Sequence, residues 1–222
     1  MKIENGGHEK LLIIGASGHG KVVLDIALKL NRWRKIFFLD DNESIKSTMG
    51  IDVIGKSRDA LKNINDYDIF IAIGNNEARE KIQMQLEKAG ASIPTLVHPN
   101  VVLGQNVELG VGTVIMAGVV INSNSKIRRG CIVNTGATID HDNIIESFVH
   151  ISPGTHLAGG VSIGEKAWLG TGVVVINNKK IIRECLVGAG AVVVKDINEA
   201  GVYVGIPAKP INKCIASSSR EG

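Results

Sequence analysis

Aromatic side chains are scarce in this chain: four Phe, two Trp and two Tyr among 222 residues, 4%. Its core must therefore be filled by something other than rings. Cysteine is equally sparse, and Cys131, Cys185 and Cys214 are an odd number at spacings that match neither a disulfide framework nor a zinc site. Reduced thiols are expected. No apolar run reaches the ~20 residues needed to span a bilayer, which excludes a membrane-spanning helix on pattern. The start of the chain lacks a charged-then-apolar leader with a cleavage site, so the chain is expected to stay in the cytoplasm. Neither sign of charge dominates: 25 Lys and Arg stand against 22 Asp and Glu, interspersed, for a net charge of +3. That excludes the dense basic stripe with which a protein binds nucleic acid by counterion release.

What the chain has in plenty is glycine, 26 residues, and an apolar fraction of 44%. These follow one rule in the second half. From Leu103 onward every sixth residue is Leu, Ile or Val: Leu103, Leu109, Ile115, Ile121, Ile127, Val133, Ile139, Ile145, Ile151, Leu157, Ile163, Leu169, Val175, Ile181, Val187 and Val193. Two positions before each stands a mostly small or β-branched residue, among them Val101, Val107, Thr113, Cys131, Ala137, Ala167 and Cys185. Neither the 3.6-residue period of a helix nor the two-residue period of a strand produces strict sixes. A hexad places one short strand and one turn on each side of a triangular prism. Three hexads then close a coil, each aliphatic stacks on the one three hexads further on, and backbone hydrogen bonds run between coils. Cys131 and Cys185, three full coils apart, fall in one interior column and are assigned to packing.

Before residue 98 the pattern changes to alternating strands and helices. Leu11–Ile14 is a short buried strand running into Gly15-Ala16-Ser17-Gly18-His19-Gly20, then a helix with Val22, Val23, Ile26, Ala27 and Leu30 on one face. Ile36–Leu39 is a second strand ending at Asp40-Asp41, and Ile69–Ile73 a third ending at Gly74-Asn75-Asn76. A helix over about 76–89 follows, with an Asn cap and Gly90 just past its end. These elements make a small parallel α/β domain, on which ligands gather at the carboxyl ends of the strands. All three clusters lie there. The glycine turn lets backbone amides approach a pyrophosphate at a helix N-terminus, and Asp40 and Asp41 are placed to accept from ribose or base. The motif is not the G-x-G-x-x-G dinucleotide fingerprint, so a nucleotide-sugar is the expected ligand rather than NAD.

The combination GASGHG, FLDD, IAIGNN, VNTGATIDHDNIIESFVHISPG and GVYVGIPAKP resembles the nucleotide-amino-sugar N-acetyltransferases of the bacillosamine type, and more distantly the sialic acid O-acetyltransferases, over residues 11 to 212. The resemblance implies a Rossmann-like α/β N-terminal domain (1–97), a left-handed parallel β-helix of hexapeptide repeats (98–200) and a C-terminal tail (201–222). It implies acetyl-CoA as co-substrate, a nucleotide-sugar partner and a homotrimer with the cofactor in the cleft between subunits. His141 would be the general base, Asp142 its acidic neighbour, and Asn134 would face the reaction centre. His150 would meet the thioester end of acetyl-CoA, with Thr171 and Ala189 along the pantetheine track. Ser17, Gly18, His19, Asp40, Asp41 and Gly74 would hold the nucleotide-sugar. Two positions depart from the family pattern: Asp142 stands where Glu is more frequent, and Ala189 where Gly is. The first leaves open whether Asp140 or Asp142 meets the histidine.

An amine must lose its proton before it can attack a thioester, and an imidazole oriented by a carboxylate is suited to take it. His141, flanked by Asp140 and Asp142, has that chemistry, and direct attack without an acyl-enzyme is expected. His8, His98 and His156 are read as ordinary surface or turn residues, and Lys179, Lys180 and Lys209 as solvated charges with a lesser prospect of meeting CoA phosphates. Residues 213 to 222 carry no assignable role. Three rival functions remain: transfer to a sugar hydroxyl; a zinc lyase of the carbonic anhydrase type, which the spacings of His141, His150 and His156 do not suggest; and a non-catalytic nucleotide-sugar binder. No metal site is expected.

Overall fold

The computed structural model describes residues 7–211; Cys214 and the segment 213–222 lie outside it. The N-terminal half holds β1 (Lys10–Ile14), α1 (Gly18–Leu30), β2 (Lys35–Leu39), β3 (Ser47–Thr48), β4 (Ile51–Gly55), a 3₁₀ turn (Ser57–Lys62), β5 (Asp68–Ile71) and α2 (Asn76–Lys88). The sheet order is β3-β4-β2-β1-β5, with β4, β2, β1 and β5 parallel. The three strands read from sequence are thus neighbours whose carboxyl ends converge. The hairpin strands β3 and β4 have no counterpart in the sequence pattern, because this stretch mixes charged and apolar residues without a clean alternation. In α1 the buried face is Gly20, Val23, Leu24 and Ala27, joined by Ile26; Val22, expected on it, is exposed. Val22 lies ~100° round the helix from Val23, and Leu24 completes the stripe instead.

The prism opens with β6 (Leu96–Val97). Sixteen two-residue strands follow at intervals of six, from β7 (Val102–Leu103) to β22 (Val192–Val193). The sixteen aliphatics are the second residues of these strands; they point inward, and those from Ile115 onward are at most 2% exposed. Each strand pairs in parallel with the strand one coil further on, as in Val120↔Thr138 and Ile121↔Ile139. Two closing strands, β23 (Val202–Val204) and β24 (Lys209–Ile211), extend one face by a parallel and then an antiparallel pairing. Cys131 and Cys185 are buried in the column assigned to them, and burial pushes the Cys131 thiol up to about 12.

The three faces differ in what their outward residues meet. One carries Leu96, Val114 and Ile132, buried against the N-terminal core of Leu11, Val23 and Phe38; this is the docked face. A second shows Glu108, Lys126, Ile144, Ser162 and Lys180, a solvated surface. The third shows Val102, Val120, Thr138, His156, Val174 and Val192, with Val102 60% exposed; this is the apolar face.

Helix α2 runs along the corner between the solvated and docked faces. Gln83 donates to the Val111 carbonyl, Arg79 to those of Gly130 and Phe148, and Asn76 to that of Lys166. The match is metrical: a helical turn rises about 5.4 Å and stacked strands lie about 4.8 Å apart, so residues three or four apart on α2 meet successive coils. Arg79, 1% exposed, satisfies its remaining donors on the Ile73 and Gly74 carbonyls and Asn76 Oδ1, at 2.8–3.1 Å. No carboxylate is among these partners, and burial holds its pKa down at about 10. Its charge is spread over carbonyl dipoles, which ties the β5–α2 loop to the prism.

Candidate active site

One backbone device recurs at every prism corner. Residues 106, 112, 118 and so on to 190, at intervals of six, all have φ between 56° and 71°. The chain turns through the left-handed region once per hexad. On the corner between the apolar and solvated faces these residues are Asn106, Asn124, Asp142, Gly160 and Asn178; on the corner between the docked and apolar faces they are Gly118, Gly136, Gly154, Gly172 and Gly190. Asn and Asp are the side chains that tolerate this conformation best.

His141 stands at the asparagine corner. Its Nδ1 lies 2.7 Å from Asp142 Oδ2. A carboxylate only accepts, so Nδ1 carries the proton and Nε2 keeps its lone pair. Asp140 is engaged elsewhere: its Oδ1 accepts from the His141 backbone N–H at 2.8 Å and from Asn122 Nδ2 at 2.9 Å, and it acts on the ring through its charge. Asp142 is thus the partner, resolving the alternative left open by the sequence. The hydrogen bond to Asp142, then the charge of Asp140, raises the His141 pKa, and the same contact lowers that of Asp142. Gly159 makes room for the ring: a Cβ there would lie 2.5 Å from Nε2. Beside this corner an open groove of about 580 Å³ runs over the apolar face, lined by residues that include Asn122, Thr138, Asp140 and His156.

The other expected residues fall elsewhere. Thr171 and Ala189 are exposed on the glycine corner, in successive coils. Asn134 is on the same corner, where its Oδ1 accepts from the Thr135 N–H; within one chain it lies on the far edge of the apolar face from His141. His150 is on the docked face, 8% exposed, stacked on Trp168 at 5.1 Å and 12°, with its Nε2 3.5 Å from Asn134 Nδ2. Burial, then the Arg79 charge, holds His150 down at about 3, and His19 at about 4 for the same reasons. Both imidazoles are therefore neutral, and the buried His150 Nδ1 and His19 Nε2 have no hydrogen-bond partner among the described residues.

At the carboxyl edge of the α/β sheet, Ser17 precedes α1 without capping it and Gly18 opens the helix, whose first turn holds no acidic residue. This leaves the amides free for an anion. Asp40 Oδ2 accepts from the Ala16 N–H at 2.7 Å and its Oδ1 from the Asn42 N–H, while Asp41 Oδ1 accepts from the Ser57 N–H. Both carboxylates thus brace the loops that surround the edge. The Gly74 carbonyl is engaged by Arg79.

Arg79, Trp168, Asn122, Asn124 and Gly159 escape a reading of the sequence alone. Arg79 and Trp168 look like an ordinary helix cation and a hexad residue, and only the three-dimensional stacking shows their partners. The one-coil spacing of Asn106, Asn124 and Asp142 is the available signal for the asparagines. Among the described residues no three His, Cys, Asp or Glu side chains gather as a metal set, and no helix is long and apolar enough to cross a membrane.

Comparison with known proteins gives a consistent result. The family described as the PglD N-terminal domain matches residues 10–86. The UDP-N-acetylbacillosamine N-acetyltransferase of Bacillus subtilis is 34% identical over 116 residues, 48% of this chain and 51% of that protein, so the chain spans about half the length of that curated relative in the match. The acetyltransferase domain of PglB from Neisseria gonorrhoeae, solved in complex with acetyl coenzyme A, is 40% identical over 92% of this chain and 100% of that one, with a TM-score of 0.89. PerB from Caulobacter crescentus, solved in complex with CoA and GDP-perosamine, is 35% identical over 96% of this chain and 100% of that one, with a TM-score of 0.86.

Proposed function

This chain belongs to the PglD-like family of nucleotide-amino-sugar N-acetyltransferases, and we propose that it transfers the acetyl group of acetyl-CoA to the 4-amino group of a UDP- or GDP-linked amino-dideoxy sugar. The observation that carries the chemistry is the His141–Asp142 pair, with Nδ1 committed and Nε2 free. The amine attacks the thioester carbonyl and Nε2 takes its proton as the C–N bond forms. When the tetrahedral intermediate collapses, the C–S bond breaks and the leaving thiolate receives that proton from the imidazolium, so His141 ends neutral. Asp142 holds the tautomer and steadies the cation formed in between.

The glycine corner is the proposed track of the pantetheine arm. Side chains are tolerated at φ near 60° on the other two corners, where Asn, Asp, Phe148, Lys166 and Glu184 adopt it. Steric space is also available, since a Cβ on Gly136, Gly154, Gly172 or Gly190 would meet nothing within 4 Å. Five successive glycines leave bare backbone along Thr171 and Ala189, which suits a ligand lying close against the chain. His150 and Asn134 would meet the thioester end of that track, and the clusters at Ser17–His19, Asp40–Asp41 and Gly74 would hold the nucleotide-sugar.

The track and His141 lie on opposite edges of the apolar face, about five residues of extended chain or roughly 16 Å apart. We propose that the apolar face packs against a second copy, giving a cyclic homotrimer in which the glycine corner of one chain meets the asparagine corner of the next. The exposed valines of that face support this reading.

The test is a panel of UDP- and GDP-linked 4-amino sugars, each beside its 4-hydroxy counterpart, incubated with acetyl-CoA while free thiol and product mass are followed. Amide formation on one amino sugar with none on its hydroxyl analogue is expected. Acetylation of the hydroxyl series alone would replace the reading with O-acetyl transfer, and binding without turnover would reduce the chain to a nucleotide-sugar binder.

A further inference from the structure

The two carboxylates beside His141 do not stand alone. Asn124, one coil earlier in the same corner column, donates from Nδ2 to Asp142 Oδ1 at 3.2 Å, and Asn106, one coil earlier again, donates to Asn124 Oδ1 at 3.1 Å. The left-handed turns, at φ 58°, 62° and 58°, stack these side chains in register. Chemistry fixes the direction of the ladder. Asp142 can only accept, so Asn124 must turn its amide nitrogen toward it; Asn124 Oδ1 then faces back, and Asn106 must present its own nitrogen to it. The hydrogen bonds therefore converge on Asp142 Oδ1 from one side while His141 Nδ1 takes Oδ2 from the other.

We propose that Asn124, backed by Asn106, is a positioning residue that dedicates Asp142 to Nδ1 of His141 and so holds the imidazole with Nε2 free for the proton of the acceptor amine. The inference rests on the reading of His141 as the base. Without the ladder the Asp142 carboxylate, exposed at the surface, is free to rotate toward water or toward the backbone amides of its own turn, and the imidazole loses both its orientation and part of its basicity.

Glycine occupies the equivalent turn position of this column at Gly160, so Asn124→Gly removes the side chain while keeping the backbone conformation. Turnover of acetyl-CoA and the amino-sugar nucleotide is measured against pH for wild type, Asn124→Gly, Asn124→Asp and His141→Ala. Asn31→Gly, the same change at a left-handed Asn that ends α1 far from His141, serves as the control. Asn124→Gly is expected to lower kcat about tenfold, with KM for acetyl-CoA within about twofold, and to move the acid limb of the profile to lower pH. Asn124→Asp adds a second negative charge and is expected to move the limb the other way. Asn31→Gly is expected to match wild type in both readouts. An unmoved limb and unchanged kcat in Asn124→Gly, with His141→Ala strongly impaired, overturns the ladder alone. A loss of kcat with a proportionate loss of melting temperature and no movement of the limb reduces Asn124 to a structural residue and overturns it too. Unimpaired His141→Ala would instead remove the base assignment.

Discussion

The asparagine corner and the glycine corner are made by the same backbone. Each turns through φ near 60° once per coil, and each borders the same apolar face. They differ only in what the turn residue carries. On one, Asn106, Asn124 and Asp142 build a hydrogen-bonded column that ends on an imidazole; on the other, five glycines leave the chain bare. In a solenoid the fold settles where side chains go but not what they are, so one repeated turn can be spent on a polar constellation at one edge and on a smooth track at the other.

The difference is broken most severely by His141→Ala, which removes the proposed base from the asparagine corner. We expect kcat to fall on the order of 10²–10⁴-fold with the melting temperature unchanged; steady-state kinetics and a thermal melt together check this. Gly159→Ala leaves every named polar group in place but puts a methyl 2.5 Å from Nε2. The ring must move, and kcat should fall roughly 10- to 100-fold while KM for acetyl-CoA holds.

The converse change furnishes the glycine corner: Gly154→Asn installs there the side chain that the other corner uses at this φ. Stability should change by less than about 1 kcal/mol because Asn accepts the conformation. KM for acetyl-CoA should rise about tenfold, the reverse of the kinetic split seen at Gly159. Unchanged KM would separate the track from this corner.

Smaller effects are read in pH. The contact with Asp142 raises the pKa of His141 above its ordinary 6.5, so the acid limb of kcat/KM should lie above pH 6.5 and move down in Asp142→Asn. The buried imidazoles behave oppositely. His150 is held at about 3 and His19 at about 4, both below the unfolded value, so their contribution to stability is present above pH 6.5 and is lost as pH falls toward those values. For His150 the loss by pH 4 is on the order of 3 kcal/mol. Urea denaturation at pH 7 and pH 4 should show His150→Gln narrowing the gap between the two.

The prism was legible because its core obeys one residue at a time: each of the sixteen aliphatics is an independent vote for the same period, and all sixteen take the inward place in a strand. The α/β strands were legible as apolar runs between glycine and aspartate turns. Strands β3 and β4 were not, since their pairing is settled by contacts across the sheet. Of the site, the His141 segment could be picked out by resemblance, yet its partner could not: Asp140 and Asp142 are equal in sequence, and only the Nδ1–Oδ2 contact of the folded chain separates them. Arg79 was invisible for the same reason, because the acceptors that tie it to the prism are carbonyls contributed by residues 51 and 69 positions away.

In the proposed trimer the two corners are halves of one site contributed by neighbouring chains. Two inactive variants, His141→Ala with an intact glycine corner and Thr171→Trp with an intact asparagine corner, can be co-expressed with different tags and the mixed oligomers purified on both. Each mixed trimer then contains one pairing of an intact base with an intact track, and activity should return to roughly a third of wild type. Mixed oligomers no more active than their parents would place both halves of the site within a single chain and contradict the account.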